Sequence, residues 1–444
     1  MMSNNDFHRL ADRLGRVHNA ESGDQIGVGR LTADPEHIVL EYLPDDEPRQ
    51  SGLMSLPPRE VPERLVFVDS YGVVGLDGCR IRRATRRGNQ PSRVEVHADH
   101  SIQLKRPGPD FAAVNSVRTE IAGLATWVTH QSAVHKELYS NDADLITSVV
   151  FKARAGNPKE VGTEHGLQFV PYFDATSERS LSGGRHEIIE KMFVETRVDG
   201  DPLPLDVHLT THRNIQELLV IAYGVPCGQR LSWVASSARP GERVIPCTGA
   251  GDRWRGVIST WCGRGDADDP MEVPRKHTLF DYPDIGAAGV KRWVEDADDW
   301  SRVVGPLVLW HFDNGSSIEV ELLQIGVAIE ALGYKIAVRQ GLILPGESQS
   351  FPQYLRRIGE TLRCDVGPVI TGSPDNGVSA HTDYDAWSND FNTLYKQAKH
   401  ADHPLPDGLR GVIAARSGAL LLRMWLSVEF GVDPETVNDY ARYA

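Results

Sequence analysis

Between residues 389 and 403 the chain carries Asn389, Asn392, Lys396, His400 and His403 at three- and four-residue steps, with Lys399 among them. On a helix that spacing brings the side chains to one side. Histidine, lysine and asparagine in one row are suited to gripping and cutting a phosphodiester. Metal-independent cleavage of RNA needs a base for the 2′-hydroxyl proton, an acid for the leaving oxygen and a cation beside the crowded phosphate. Lys396, His400 and His403 are the candidate catalytic residues, and Asn392 and Lys399 the candidate RNA contacts. An ordinary solvated helix face would carry the same residues. Arg416 and Arg423 lie seven apart in an otherwise apolar stretch from Gly411 to Phe430. Charges on one side of such a helix must reach water, a partner or a ligand. They join the candidate RNA contacts, with salt bridges to acidic residues of neighbouring helices as the alternative.

Other clusters point to weaker chemistry. Arg80, Arg82, Arg83, Arg86, Arg87 and Arg93 make a basic group suited to a nucleic acid or another anionic partner, or to a solvated turn between strands. His208 and His212 have the i, i+4 spacing of helical metal ligands, but no Glu accompanies them as in the zinc-protease pattern. Their local sequence reads as a strand leading into a helix, so no metal site is assigned. Gly249-Ala250-Gly251 lacks the later glycine, the lysine and the preceding strand of a phosphate loop and reads as a turn. The five cysteines are scattered and form no Cys-x-x-Cys pair, which supports neither a disulfide framework nor a cysteine zinc site. No cofactor is expected.

These groups must be positioned by a chain of 444 residues, enough for two or three domains. Hydrophobic residues are 40% and charged residues 24% of it, as in a folded globular protein. The net charge of −14 excludes a surface coated in cations, though a local basic site can sit within an acidic whole. No run approaches the roughly 18 apolar residues of a spanning helix, and the N-terminus lacks a signal-peptide core. The expectation is a soluble, cytoplasmic protein with no membrane partner.

Residues 20 to 105 read as short strands, including Ile38 to Tyr42, Arg64 to Val68 and Val94 to His97, with a Pro-rich loop from Pro44 to Pro62. Val117, Ile121, Leu124 and Val128 predict an amphipathic helix from Asn115 to Thr129. Strand patterns follow at Leu145 to Lys152, Leu167 to Tyr172 and Lys191 to Val198, and a helical one at Asn214 to Tyr223. Past Gly286 the pattern turns helical. Helices are predicted at Ala287 to Phe312, Ile318 to Val338, Ser350 to Leu362, Thr382 to Asp402 and Leu409 to Phe430. The fold class is therefore α+β, with a β-rich mixed domain over 1–285 and a helical bundle over 286–444.

The run from Asn392 to Pro404, with Tyr395, Lys399-His400-Ala401-Asp402 and Pro404, followed by a long apolar helix ending at Phe430-Gly431, resembles the ApeA-like branch of the HEPN domains. Upstream, Leu124-Ala125-Thr126-Trp127 and Asn214-Ile215-Gln216-Glu217-Leu218-Leu219 with Tyr223-Gly224 resemble two helices of the ApeA N-terminal domain. The resemblance implies a bacterial anti-phage protein of abortive-infection type. Its N-terminal domain would sense a phage-derived trigger or act as a scaffold, and its HEPN domain would cleave RNA, with tRNA among the candidates. HEPN nucleases of this kind pair as homodimers or higher homo-oligomers, and use an Arg followed a turn or more later by a His. Here Lys396 stands in place of the arginine, and a lysine lacks the fork that grips phosphate bidentately. The alternative is thus a non-catalytic HEPN module that binds RNA, nucleotide or a partner protein.

Overall fold

The computed structural model describes residues 10–34, 36–45, 60–85, 92–108, 110–129, 133–140, 146–154, 156–180, 183–235, 254–260, 278–313, 315–371 and 381–442. Much of the loop expected between Pro44 and Pro62, and the glycines at 249 and 251, lie outside these residues. The strands are β1 (Leu10–Asn19), β2 (Gln25–Ala33), β3 (Ile38–Pro44), β4 (Leu65–Asp69), β5 (Gly72–Asp77), β6 (Arg80–Thr85), β7 (Arg93–His97), β8 (His100–Leu104), β9 (Ala113–Val114), β10 (Ser116–Ile121), β11 (Ala133–Ser140), β12 (Ile146–Arg154), β13 (Lys159–Glu160), β14 (Gln168–Ser180), β15 (Gly183–Arg197), β16 (Leu203–Pro204), β17 (Gln229–Ala235) and β18 (Trp254–Ser259). The helices are α1 (Leu124–Trp127), α2 (Leu205–Tyr223), α3 (Tyr282–Glu295), α4 (Ala297–Phe312), α5 (Ile318–Arg339), α6 (Phe351–Thr361), α7 (Gly367–Thr371), α8 (Tyr384–Lys399), α9 (Gly408–Glu429) and α10 (Pro434–Ala441). The α+β class holds, with a large antiparallel sheet followed by helices.

The chain packs as two compact units. One comprises residues 1–125, 130–212 and 228–272, and the other 126–129, 213–227 and 273–444. In the first, fourteen strands form one sheet in the order β13-β14-β15-β10-β17-β18-β8-β5-β4-β1-β2-β3-β7-β6. Alternation explains its cores. Leu40, Val94 and Val96 are buried and point inward with Val17, Leu31, Phe67 and Val74, while Glu41 and Glu95 between them are not. A second core packs Leu205 and Leu209 of α2 with Phe111, Val117, Leu231, Val234 and Val257.

The helix expected from Asn115 to Thr129 is instead strand β10 and the single turn α1. The four-residue step from Val117 to Ile121 fits a helix face, but it is also an even step and so keeps one face of a strand. Pairing with β15 on one side and β17 on the other decides between them. The helix expected from Ala287 to Phe312 is two helices, α3 and α4, which part at Asp296. Residues 207–210, read as strand, already belong to α2.

In the second unit α5 packs against α4, α6, α8 and α9. Ser350 caps α6 through a reciprocal capping box with Gln353. An added Cβ at Gly418 of α9 would overlap Ile325 and Phe391, so glycine there lets α9 approach its neighbours closely. Contrary to the expectation that no run approaches a spanning helix, α9 is long and apolar enough to cross a membrane, with a mean hydropathy of 1.3 over an 18-residue window, but 72% of that window is buried against the rest of the chain. It serves as the bundle's core helix.

Within this core Arg423 of α9 is 6% exposed. Its Nε donates to Ile221 O at 2.7 Å and its Nη2 to Ala222 O at 3.0 Å, at the C-terminal end of α2. Carbonyls at a helix C-terminus carry partial negative charge, and they satisfy the cation without a carboxylate. Burial pushes the guanidinium down to about 10, so it stays charged at neutral pH. Gly224, at φ +66°, ends α2 beside this guanidinium, where a Cβ would overlap it. R423M keeps the apolar stem but leaves Ile221 O without its donor. It should cost about 1–3 kcal/mol, read as a lower denaturation midpoint for the helical unit against R416M as control.

Candidate functional site

Helix α8 is fixed by its apolar side. Trp387, Phe391, Leu394 and Tyr395 are buried, and the N-cap Asp383 accepts from the Ala386 N–H at 2.8 Å. The opposite face, with Asn389, Thr393 and Lys396, is exposed. Of the row expected from spacing, Asn389 and Lys396 are therefore exposed, whereas Asn392 between them is half-buried. Beyond it the geometry differs. The helix ends at Lys399, and His400 is its C-cap in an extended conformation. His400 still donates its N–H to Lys396 O at 3.0 Å, one turn back, and His403 N donates to His400 O at 3.2 Å across a turn. That turn, rather than two further helical turns, brings the imidazoles together with ring centroids 6.1 Å apart. Lys396, His400 and His403 are all exposed at the C-terminal end of α8.

The other predicted contacts fare unequally. Asn392 is half-buried, and its Oδ1 meets no hydrogen-bond donor among the described residues. Lys399 is held over the Tyr395 ring at 5.2 Å and lies 3.8 Å from Glu330 of α5. Tyr395 donates to the same carboxylate at 3.3 Å. Arg416 is exposed, and no described hydrogen bond or ion pair ties it to Lys396, His400 or His403. Arg423 is not available to RNA, because it is buried and spent on Ile221 and Ala222. The shared face expected of the two arginines splits, since one points out and the other into the bundle. Glu330 escaped sequence reasoning, because its role appears only once α5 packs on α8. Arg410, at the start of α9, was also missed; it pairs with Asp390, which also lies 3.5 Å from His381.

His208 and His212 do share a helix face, but not around a metal. Both are fully buried. His208 Nε2 must donate to Val114 O at 3.0 Å, since a carbonyl only accepts. Its Nδ1 then accepts the Thr196 hydroxyl proton at 2.8 Å, leaving Thr196 Oγ1 to accept from His212 Nε2 at 2.9 Å. Thr119 completes the chain by donating to His212 Nδ1 at 2.5 Å. All four ring nitrogens are thereby occupied in one proton order, which joins α2 to β10 and β15. No group of three or more potential His, Cys, Asp or Glu ligands occurs among the described residues. Cys79, Cys227 and Cys364 are free and buried, and burial pushes Cys227 up to about 12 and Cys364 up to about 11, away from thiolate chemistry.

A family model described as ApeA N-terminal domain 1 matches residues 18–293. The chain belongs to that family. The matched ApeA N-terminal domain segment covers the fourteen-strand sheet except for β1, of which it includes only His18 and Asn19, and continues through α2 into α3. No curated protein and no solved structure matches the chain significantly.

The histidine chain sets a pH dependence. Burial lowers His208 to about 4 and His212 to about 3, below their ordinary 6.5. Between pH 6.5 and 4 the unfolded chain binds protons that the folded one refuses. Stability present above pH 6.5 is therefore lost as pH falls, by up to about 1.4 kcal/mol per unit for each histidine. The melting temperature of the wild type should drop over this window, and the drop should be shallower in H212N.

Proposed function

We propose that this protein is an anti-phage defence effector of abortive-infection type, whose helical unit is an HEPN-like ribonuclease that cleaves RNA without metal. The observation that carries this reading is the exposed grouping of Lys396, His400 and His403, with its paired imidazoles, at the end of α8. Membership of the ApeA N-terminal domain family is consistent with defence and supports a sensing or scaffolding role for the sheet, with a phage-derived trigger as its partner.

The chemistry follows from the residue types. One imidazole takes the 2′-hydroxyl proton as the 2′-oxygen attacks the adjacent phosphorus. The P–O5′ bond breaks, and the other imidazole returns a proton to the 5′-oxygen. Lys396 balances charge on the non-bridging oxygens. Asn392 and Arg416 contribute to RNA binding, whereas Lys399 is partly occupied by Glu330. A single α8 end supplies few cations for a phosphate, and two copies paired across a two-fold axis would double them. A homodimer of this kind, tightened by RNA, belongs to the proposal. One observation favours a second reading, a non-catalytic RNA-, nucleotide- or protein-binding module. A lysine without a bidentate fork stands where the nuclease pattern has arginine.

The full chain incubated with total RNA and excess EDTA separates the two readings. The nuclease reading expects cleavage that falls about 100-fold or more in H400A/H403A. The melting temperature should be nearly unchanged, because both side chains are exposed. Full activity in the double variant removes α8 from the mechanism, and tight binding without cleavage favours the binding module.

A further inference from the structure

The basic cluster of the N-terminal unit acquires a geometry that its sequence does not reveal. Strand β6 lies at one end of the fourteen-strand sheet and, among the described residues, pairs with β7 alone. Its register shifts between Ile81, opposite Val96, and Arg83, opposite Glu95, so that Arg82 is an extra residue in a bulge. Ile81 packs against the core on which Val94 and Val96 lie. Arg80, opposite His97, therefore faces outward. The bulge places Arg82 and Arg83 together opposite outward Glu95, and Arg93 lies in the next outward row, opposite Thr85. In a regular strand one of Arg82 and Arg83 would have turned toward the core.

The carboxylates of this face are largely engaged. Arg80 pairs with Asp99, and Arg93 and Arg30 share Glu41. Glu95 contacts His97 at 3.2 Å. Arg82 and Arg83 are exposed and have no carboxylate partner among the described residues. Among the described residues the outer face thus presents two guanidinium forks without a carboxylate beside three partly neutralised ones, within a chain of net charge −14.

We propose that this outer face, centred on Arg82 and Arg83, binds the phosphate backbone of a nucleic acid, a site separate from α8. Arginine forks match phosphate oxygens bidentately. Cations concentrated on one face of an otherwise acidic protein are the electrostatic footprint of such a ligand. An acidic peptide adding as a further strand is disfavoured, because the bulge interrupts the regular ladder that strand addition needs and charged edges oppose pairing. The contact carries no base selectivity, as expected where only phosphates are touched.

The test is fluorescence anisotropy of the full chain carrying H400A/H403A, so that the probe is not cut, with a labelled single-stranded RNA of mixed sequence titrated over a range of salt. R82Q/R83Q should weaken binding about tenfold and reduce the salt slope by about 1.4, two contacts at about 0.7 each for single strands. R82E/R83E on the same background should weaken it further. Three results would overturn the proposal. One is unchanged affinity and slope in R82Q/R83Q. Another is self-association of R82Q/R83Q with RNA binding retained, which would make the arginines an edge-protection device. The third is displacement of RNA by polyglutamate at equal charge concentration, which would make the face a site for acidic protein.

Discussion

The helical unit depends on a buried positive charge that has no acidic partner among the described residues. Arg423 sits in a long apolar helix, and among the described residues the carbonyls ending α2 satisfy it. That arrangement dictates much else. Helix α2 must stop at Tyr223, Gly224 must turn without a side chain, and Ala222 O must also accept the Leu279 N–H at 2.8 Å. Nearby, Trp293 donates to Asn214 O at 2.6 Å and Trp127 to Phe280 O at 3.1 Å, so residues distant in sequence converge on α2, α3 and α9. An apolar helix can carry a cation here because the dipole of another helix end stands in for the missing carboxylate.

Much of the fold is legible in the sequence where one signal dominates. The three-four periodicity of Leu322, Ile325, Ile329, Leu332 and Ile336 marks α5 because its core-facing stripe is continuous. The alternation of Ile38 to Tyr42 marks β3 because one face is buried and the other is not. The reading fails where a local pattern suits two structures. Val117 and Ile121 share a face in either helix or strand, and only the flanking strands choose. It also fails where the deciding contact is remote. The C-terminal half of α2 and the α1 region around Trp127 pack within the helical unit although they precede it by many residues, and no composition shift announces this.

The candidate site shows the same division. The exposure of Asn389 and Lys396 on α8 is readable from spacing, the partial burial of Asn392 is not, and neither is the pairing of His400 with His403, which arises from a turn after the helix ends. The i, i+4 histidines of α2 carry the spacing of ligands, yet two threonines from neighbouring strands complete a closed hydrogen-bond chain. Spacing says which side chains can meet, while burial decides what they meet. Arg416 and Arg423 differ for that reason alone.

We propose that the α8 end cuts RNA through attack by the 2′-oxygen, with histidines moving the protons. The termini of the cleavage products test it most directly. With EDTA present, the claim predicts fragments that end in 2′,3′-cyclic phosphate and begin with a 5′-hydroxyl. Products with 3′-hydroxyl and 5′-phosphate ends, formed only when a divalent metal is supplied, would contradict it.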